Sequence, residues 1–411
     1  MSSKLNLHKL MAQEDGYLAA LSVPEKDRAT LAAARETIRT TLRHAFRNWE
    51  TYVTRAELTE GMGSAFRQFD VAPRLPTPKF RIQGSFAYHT ANDCQDPPDQ
   101  QIDQDDGMFL PISFVTVNGT ARPTIASSAY FRIVERALAP LCKANGWTLN
   151  PDGPKNSCVR VEISSRLHID LPLYAIRDSS FEALVETTAT AAMDSLAKAV
   201  TLRDSRELDD RIYRELADAE IILAHREDGW IESDPRRLET WFRNAIDIYG
   251  PIVRELSRCF KALRDAKFDT GLSSICIMAC VVRAVEKLGG VEGKRLDLAI
   301  VSVGREIARL ASTPVENPVF PGDDKKHFCL GWSDEYRGKV RALFADAADE
   351  LEEAIDGTYH KKVAIDRAQR AFGPRVPNRE DLITMMGSVE IVRSVTPERQ
   401  PTAIVPRTKS G

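Results

Sequence analysis

Gln101-Ile102-Asp103-Gln104-Asp105-Asp106-Gly107 is the stretch on which the reading of the fold turns. Asp103 and Asp105 are two residues apart, so in an extended chain both carboxylates point to one face, about 7 Å apart at roughly 3.3 Å per residue. Two-metal phosphoryl-transfer sites hold their ions roughly 3.5 to 4 Å apart, a pitch such a pair can serve. A third carboxylate is then required. Arg166-Leu167-His168-Ile169-Asp170-Leu171-Pro172-Leu173 supplies it, because Leu167, Ile169, Leu171 and Leu173 alternate with more polar positions, as in a half-buried strand. The alternation sends the leucines and Ile169 to the core and puts Asp170 on the other face, beside Asp103 and Asp105 if the strands are neighbours. On the Asp103 strand, Ile102 and Met108 share a face with Gln104 and Asp106, which need hydrogen-bond partners if buried. That strand is therefore expected to be short or edge-like, with Asp106-Gly107 beginning a turn.

Upstream, Gln83-Gly84-Ser85-Phe86 reads as the other half of a nucleotide site. Lys79 to Gln83 is a short strand running into a turn that opens a helix, where backbone N–H groups, a glycine and a serine hydroxyl can cradle phosphates. Pro73, Pro76 and Pro78 mark a linker before it, and Asn92 to Gln100 is a polar loop after it. Ser22-Val23-Pro24-Glu25 has the form of a capping box, so a long helix is expected from about Glu25 to about Leu58. Arg35, Arg39, Arg43 and Arg47 lie four apart on it, a stripe that suits phosphates or a small anionic ligand, or else a solvated face.

Downstream, Ile125 to Asn145 reads as a helix, with Ser157 to Ile163 and Leu167 to Ala175 as a strand pair joined at Ser164-Ser165. After Ile176 the pattern is almost continuously helical: Phe181 to Leu202, Arg206 to Ala224, Pro235 to Asp247, Val253 to Phe268, Ser273 to Leu288, Val291 to Ala311 and Asp334 to Ile355. Pro314 to Gly331 is a long loop, and Arg393 to Gly411 has the composition of a disordered tail. A mixed α/β half thus precedes a helical lobe.

The 411 residues suffice for two or three domains, and a 43% hydrophobic content fills ordinary cores. Lys plus Arg total 56 against 59 for Asp plus Glu, a net charge of −3, where a general nucleic-acid binder would be basic. Seven cysteines without a Cys-x-x-Cys pair argue against a disulfide framework or a structural zinc site, and Cys276 and Cys280 are expected to pack as small apolar residues. The longest apolar run, Ile275 to Val282, is too short to span a bilayer, and the N-terminus has no signal-peptide pattern. A cytoplasmic location, with no membrane association, is the expectation.

Gln83-Gly84-Ser85-Phe86-x-Tyr88, then Asp103-x-Asp105-Asp106-Gly107, then His168-Ile169-Asp170-x-Pro172-x-Tyr174-Ala175-Ile176 together resemble the bacterial cGAS/DncV-like nucleotidyltransferases (CD-NTases), and their DncV-type cyclic dinucleotide synthases in particular. The similarity runs on through Ser233-Asp234-Pro235, Trp241-Phe242, Lys261, Arg264-Asp265, Ser273-Ser274 and Ala371-Phe372-Gly373. The resemblance implies an α+β fold: a polymerase-β-like nucleotidyltransferase core facing a helical lobe, with a long N-terminal helix. The expected divisions are residues 1–58 for the leader and long helix, 59–230 for the core, 231–392 for the helical lobe and 393–411 for the tail. It further implies Asp103, Asp105 and Asp170 as catalytic carboxylates binding two Mg²⁺ ions, with Mn²⁺ as a substitute. Gln83, Gly84, Ser85, Tyr88, Ser233, Lys261 and Ser274 would contact nucleotide. On their residues alone, Lys261 reads as a helix-surface lysine, Ser274 as a helix cap, Tyr88 as core packing, and His168 as an orienting or packed histidine, with a metal-ligand role as the alternative.

The activity implied is the joining of two nucleoside triphosphates, ATP and GTP, into 3′,3′-cyclic GMP-AMP. The product would be a messenger in antiphage (CBASS) defence that acts on a separate effector. In some members of this family the C-terminal glycine is conjugated by a ligase resembling ubiquitin E1 and E2 enzymes, which would make Gly411 a conjugation site. Two other readings use the same residues: a template-independent transferase acting on an RNA or protein acceptor, and a catalytically silent nucleotide sensor.

Overall fold

The structure is a computed structural model that describes residues 4–12, 15–58, 60, 75, 77–95, 100–112, 114–117, 120–123, 125–150, 156–177, 221–233, 235–267, 271–323 and 326–386. The chain divides into two compact units, one of Leu21–Gly290 with Thr313–Trp332, the other of Met1–Ala20, Val291–Ser312 and Ser333–Gly411. The expected divisions after residues 58 and 230 do not coincide with these. The helices expected at Phe181 to Leu202 and over most of Arg206 to Ala224, the prolines at 73 and 76, and the tail with Gly411 lie outside the described residues.

The larger unit is built on a mixed sheet. Its main path runs Gly229–Glu232, Ile221–His225, Leu167–Arg177, Ile102–Ile112, Lys79–Ile82. The Asp170 strand, Leu167–Arg177, pairs in parallel with the Asp103 strand, Ile102–Ile112. Its other edge is shared: Cys158–Glu162 pairs antiparallel with its first half and Ile221–His225 with its second. Ile221 to Ala224, expected at the end of a helix, is therefore strand. Every second side chain of the Asp170 strand, Leu167, Ile169, Leu171 and Leu173, is buried. They pack with Leu31, Ile38, Leu42 and Phe46 of the long helix and with Tyr130, Ile133 and Leu138 of the helix Ser127–Asn145.

The Asp103 strand is neither short nor at an edge. It runs eleven residues between two partners, straight through Asp106-Gly107 with no turn. Gln104 and Asp106 are buried, as their alternation with Ile102 and Met108 requires. The partner that makes this tolerable for Asp106 is Arg39, whose Nε and Nη2 donate to Oδ2 and Oδ1 at 2.8 and 2.5 Å. The Gln104 side-chain oxygen has no hydrogen-bond partner.

The long helix begins at Glu25 as expected but ends at Arg47; a 3₁₀ turn, Trp49–Thr51, and a four-residue helix, Arg55–Leu58, follow. Ser22 does not cap it. Pro24 occupies the capping position without a side-chain bond, and the Ser22 hydroxyl accepts from Arg258 at 3.3 Å. Helices Pro235–Tyr249, Ile252–Lys267 and Ser274–Lys287 stand close to their expected bounds, and Cys276 and Cys280 are buried as free thiols.

In the smaller unit the N-terminal residues are part of the core rather than a leader. Leu5, Leu7, Leu10, Met11, Tyr17 and Leu18 are fully buried, and Leu5–Asn6 pairs with Thr384–Met385. The Leu7 N–H donates to Asp297 at 2.9 Å, and Asp297 is in turn gripped by Arg295. Asp297 lies in the first turn of Leu296–Leu310, a helix expected to start at Val291. Asp334–Asp356 follows as expected, and Lys361–Phe372 is a helix not anticipated. Among the described residues no helix is long and apolar enough to cross a membrane.

Removing one partner of a buried ion pair strands the other charge. Arg39→Ala is expected to lower unfolding free energy by roughly 3 to 5 kcal/mol, and Arg47→Ala, exposed on the same helix, by less than about 0.5 kcal/mol. Urea unfolding followed by tryptophan fluorescence measures both.

Candidate active site

The parallel register sets Asp103 opposite His168 and Asp105 opposite Asp170. All four side chains therefore rise from the same face of the sheet, the one turned away from the leucines. The carboxylates of Asp103 and Asp170 and the ring of His168 bring one ligand atom each within 4.8 Å of one another. That is a donor set for a divalent cation. Asp170 is fully buried, and both its oxygens accept from Arg160, at 2.7 Å from Nε and 2.8 Å from Nη2. Arg160 faces Asp170 directly across the antiparallel pair with Cys158–Glu162, and this hydrogen bonding holds its guanidinium charged.

Asp105 meets the other half of the site. The Gln83 N–H donates to the Asp105 carbonyl at 2.9 Å, bringing the turn at Gly84 against the strand. Gly84 has φ +60°, and a Cβ there would lie 2.0 Å from Asp105 Oδ2. Only glycine accommodates both the backbone conformation and the carboxylate. Gly107 has a different reason. A Cβ on it would sit 2.6 to 2.8 Å from the Gln83 side-chain amide, which lies flat across the strand with Oε1 accepting from Tyr174 at 3.3 Å.

Gln83, Gly84, Tyr88, Asp105 and Ser233 line one cavity of about 280 Å³. Its opposite wall includes Arg237 and Leu238 and, from the long loop Thr313–Trp332, Val319 and Phe320. Five of the expected residues thus line one space, with both carboxylate and apolar side chains in its walls. Tyr88 is mostly buried, 5.8 Å from the Phe242 ring, and its phenol is pushed upward by burial and by Glu239 and Asp105. Ser85 follows Gly84 in the short helix Gly84–Ala87, and its carbonyl accepts from the Thr90 N–H.

Lys261 and Ser274 are placed less directly. Lys261 is not on a helix surface: it is buried, with Nζ donating to the Thr90 carbonyl at 2.8 Å. Burial pushes its ammonium down to about 8; Arg264 adds to the fall and Asp265 opposes it, with Asp103 within electrostatic reach. The Ser274 hydroxyl accepts from Arg264 at 3.1 Å, and the cap of its helix is Ser273, which accepts from the Cys276 N–H.

The arginine stripe does not stand free. Arg39 is committed to Asp106, and Arg43 lies over the Phe80 ring. Arg35 and Arg39 nonetheless line a second cavity, about 740 Å³, together with Arg81, Arg243 and Arg254. Tyr88 belongs to the walls of both cavities.

Sequence reasoning missed Arg160, Tyr174 and Phe320. Arg160 had a signal, a lone cation between Val159 and Val161 on the face opposite those valines. Phe320 had none, because its loop carries no periodicity.

Residues 78–174 match the family profile described as cyclic GMP-AMP synthase DncV-like, nucleotidyltransferase domain, and residues 250–385 the profile of the cyclic GMP-AMP synthase C-terminal domain. Among curated relatives, a cyclic GMP-AMP synthase of Escherichia coli (strain TW11681) is 31% identical over 337 residues, 79% of this chain and 73% of the relative. One from Vibrio cholerae serotype O1 is 31% identical over 322 residues, 75% of this chain and 70% of the relative. Among solved structures, Vibrio cholerae DncV in complex with the linear intermediate 5′ pppA(3′,5′)pG superposes with a TM-score of 0.73 at 25% identity, over 94% of this chain and 100% of that one.

Gly84→Ala is expected to leave the fold intact and to weaken divalent-metal-dependent binding of ATP at least about 100-fold in calorimetric titration, since the added methyl must displace the Asp105 carboxylate. Gly146→Ala is the control: its φ is +69° but its Cβ would meet nothing within 4 Å. It shares the backbone strain, about 1 kcal/mol, and should bind normally.

Proposed function

The chain belongs to the DncV-like cyclic GMP-AMP synthase family of nucleotidyltransferases, and on that premise we propose that it joins ATP and GTP into 3′,3′-cyclic GMP-AMP in two successive transfers. The observation that carries the reading is the registered set of Asp103, Asp105 and Asp170 on one face of a parallel strand pair, of which Asp105 also lines a cavity together with the Gln83-Gly84 turn. In each transfer a 3′-hydroxyl oxygen bonds to an α-phosphorus, the bond to pyrophosphate breaks, and the hydroxyl proton passes to solvent. Two divalent ions, Mg²⁺ or Mn²⁺, held by the three aspartates, would stabilise charge on the attacking and leaving oxygens.

The chain's own groups prepare that geometry. The donor triphosphate is assigned to Gly84 and Ser85, with Lys261 and Ser274 as further phosphate contacts. Tyr88 and Ser233 are assigned to the bases. Asp170 accepts two N–H groups from Arg160, which fix its carboxylate in position, in keeping with a reaction that depends on preorganised electrostatics more than on covalent help. The messenger's role in antiphage defence, its effector, and conjugation of Gly411 by an E1/E2-like ligase complete the proposal by family analogy.

Purified protein incubated with all four NTPs and Mg²⁺ or Mn²⁺ should yield a phosphatase-resistant product with the mass of cyclic GMP-AMP. Asp103→Ala/Asp105→Ala should abolish it. Chains that grow only on an added RNA or protein would replace this reading with an acceptor-dependent transferase, and nucleotide binding without any product would indicate a silent sensor.

Lys261 adds a pH dependence. The charged ammonium is the form that attracts phosphate, and it loses its proton as pH rises through about 8. ATP affinity should therefore hold below that pH and then fall, approaching about tenfold per unit. In Lys261→Met the profile between pH 7 and 9 should be flat.

A further inference from the structure

His168 stands between Asp103 and Asp170 and is only 5% exposed. Its two ring nitrogens are in different surroundings. Nδ1 lies 2.9 Å from Gln101 Oε1, and the same amide donates its Nε2 to the Ser164 carbonyl at 3.4 Å. That second bond orients the amide so that its oxygen faces the ring. Nδ1 is therefore the nitrogen placed to donate, which leaves Nε2 to present its lone pair to a cation. Nε2 is buried and makes no hydrogen bond, yet it lies 3.0 Å from Asp103 Oδ1 and 4.0 Å from Asp170 Oδ1. A buried lone pair turned toward two carboxylates calls for a positive charge among them.

We propose that His168 Nε2 is a direct ligand of the divalent ion at Asp103, so that the site includes a nitrogen donor and discriminates in favour of Mn²⁺ over Mg²⁺. The inference rests on the reading of this site as a metal-dependent nucleotidyltransferase centre. Adjacent ligands of an octahedral ion at about 2.1 Å lie roughly 3 Å apart, the separation found between Nε2 and Asp103 Oδ1. Metal-bound imidazoles almost always donate their other N–H to an oxygen that fixes tautomer and ring orientation, and Gln101, itself held by Ser164, is placed to do so. Arg160 supplies the complementary reason. With both Asp170 oxygens already accepting from the guanidinium, that carboxylate has fewer lone pairs to give, and a third donor beside it is useful. Mg²⁺ is a hard ion that prefers oxygen, so a nitrogen in its shell penalises it more than Mn²⁺.

The test is pulsed EPR of the Mn²⁺-loaded full-length protein. A coordinated imidazole nitrogen gives ¹⁴N modulation of the electron spin echo. That modulation is expected in the wild type and absent in His168→Gln, with Mn²⁺ affinity falling at least about tenfold and Mg²⁺ affinity less than about threefold. Gln101→Leu, which frees the ring, should weaken Mn²⁺ in the same sense. If the wild type binds Mn²⁺ and makes cyclic dinucleotide but shows no ¹⁴N modulation, the ligand assignment is overturned and the activity stands. If neither Mn²⁺ nor Mg²⁺ binds, both fall. The wild-type spectrum decides the ligand even if His168→Gln does not fold.

Discussion

The site depends on one constraint, the parallel register that places Asp103 beside His168 and Asp105 beside Asp170. A slip of one residue would turn the acids into the core and the leucines outward. What prevents it is on the other face, where Leu167, Ile169, Leu171 and Leu173 lie buried with Ile102 and Met108 against the long helix. Burying each such side chain is worth about 1.5 to 3 kcal/mol, and all six of these lie in the core. Apolar packing fixes the register, and the chemistry of the opposite face follows from it.

Carboxylates on both faces of this strand pair must be compensated. Arg160 does this for Asp170 from the neighbouring strand, and Arg39 does it for Asp106 from beneath the sheet. Such buried pairs are poor sources of net stability, because well-packed apolar residues often do as well. Their effect is positional. Arg39 reaches Asp106 from one side of the long helix only, so the pair sets that helix's rotation and with it the side on which Arg35 meets the larger cavity. Arg160 holds the Asp170 carboxylate in one orientation.

Period-two alternation made the Asp170 strand legible, and the periodicity of the later helices gave their positions within a few residues, apart from the start of Leu296–Leu310. The Asp103 strand was misread as an edge because its buried face contains Gln104 and Asp106. Sequence alone does not reveal that Arg39, 67 residues away in the chain, supplies the missing partner. For the same reason the sequence could not show that Arg39 of the arginine stripe is taken up by Asp106. The N-terminal leader was misjudged because its apolar residues form no long periodic run; their burial depends on helices almost 300 residues distant. His168 was read as an orienting or packed histidine because nothing near it in sequence shows that Gln101 meets one ring nitrogen and Asp103 the other. Local pattern reveals which face a residue occupies; it does not reveal what meets that face.

The two glycines at the site sharpen this point. Gly107 invites a turn because Asp-Gly pairs commonly make one, yet it lies inside an unbroken strand. It is small because the Gln83 amide crosses it. Gly84, by contrast, has both the left-handed backbone and the close carboxylate that a glycine in a phosphate-binding turn is expected to have. One glycine lets a side chain cross the strand, and the other lets a turn approach it. Together they bring the Gln83-Gly84 segment into contact with Asp105 over two successive residues. The two sequence motifs are therefore one physical object, and a side chain at either glycine would push the Gln83-Gly84 turn away from the Asp103 strand.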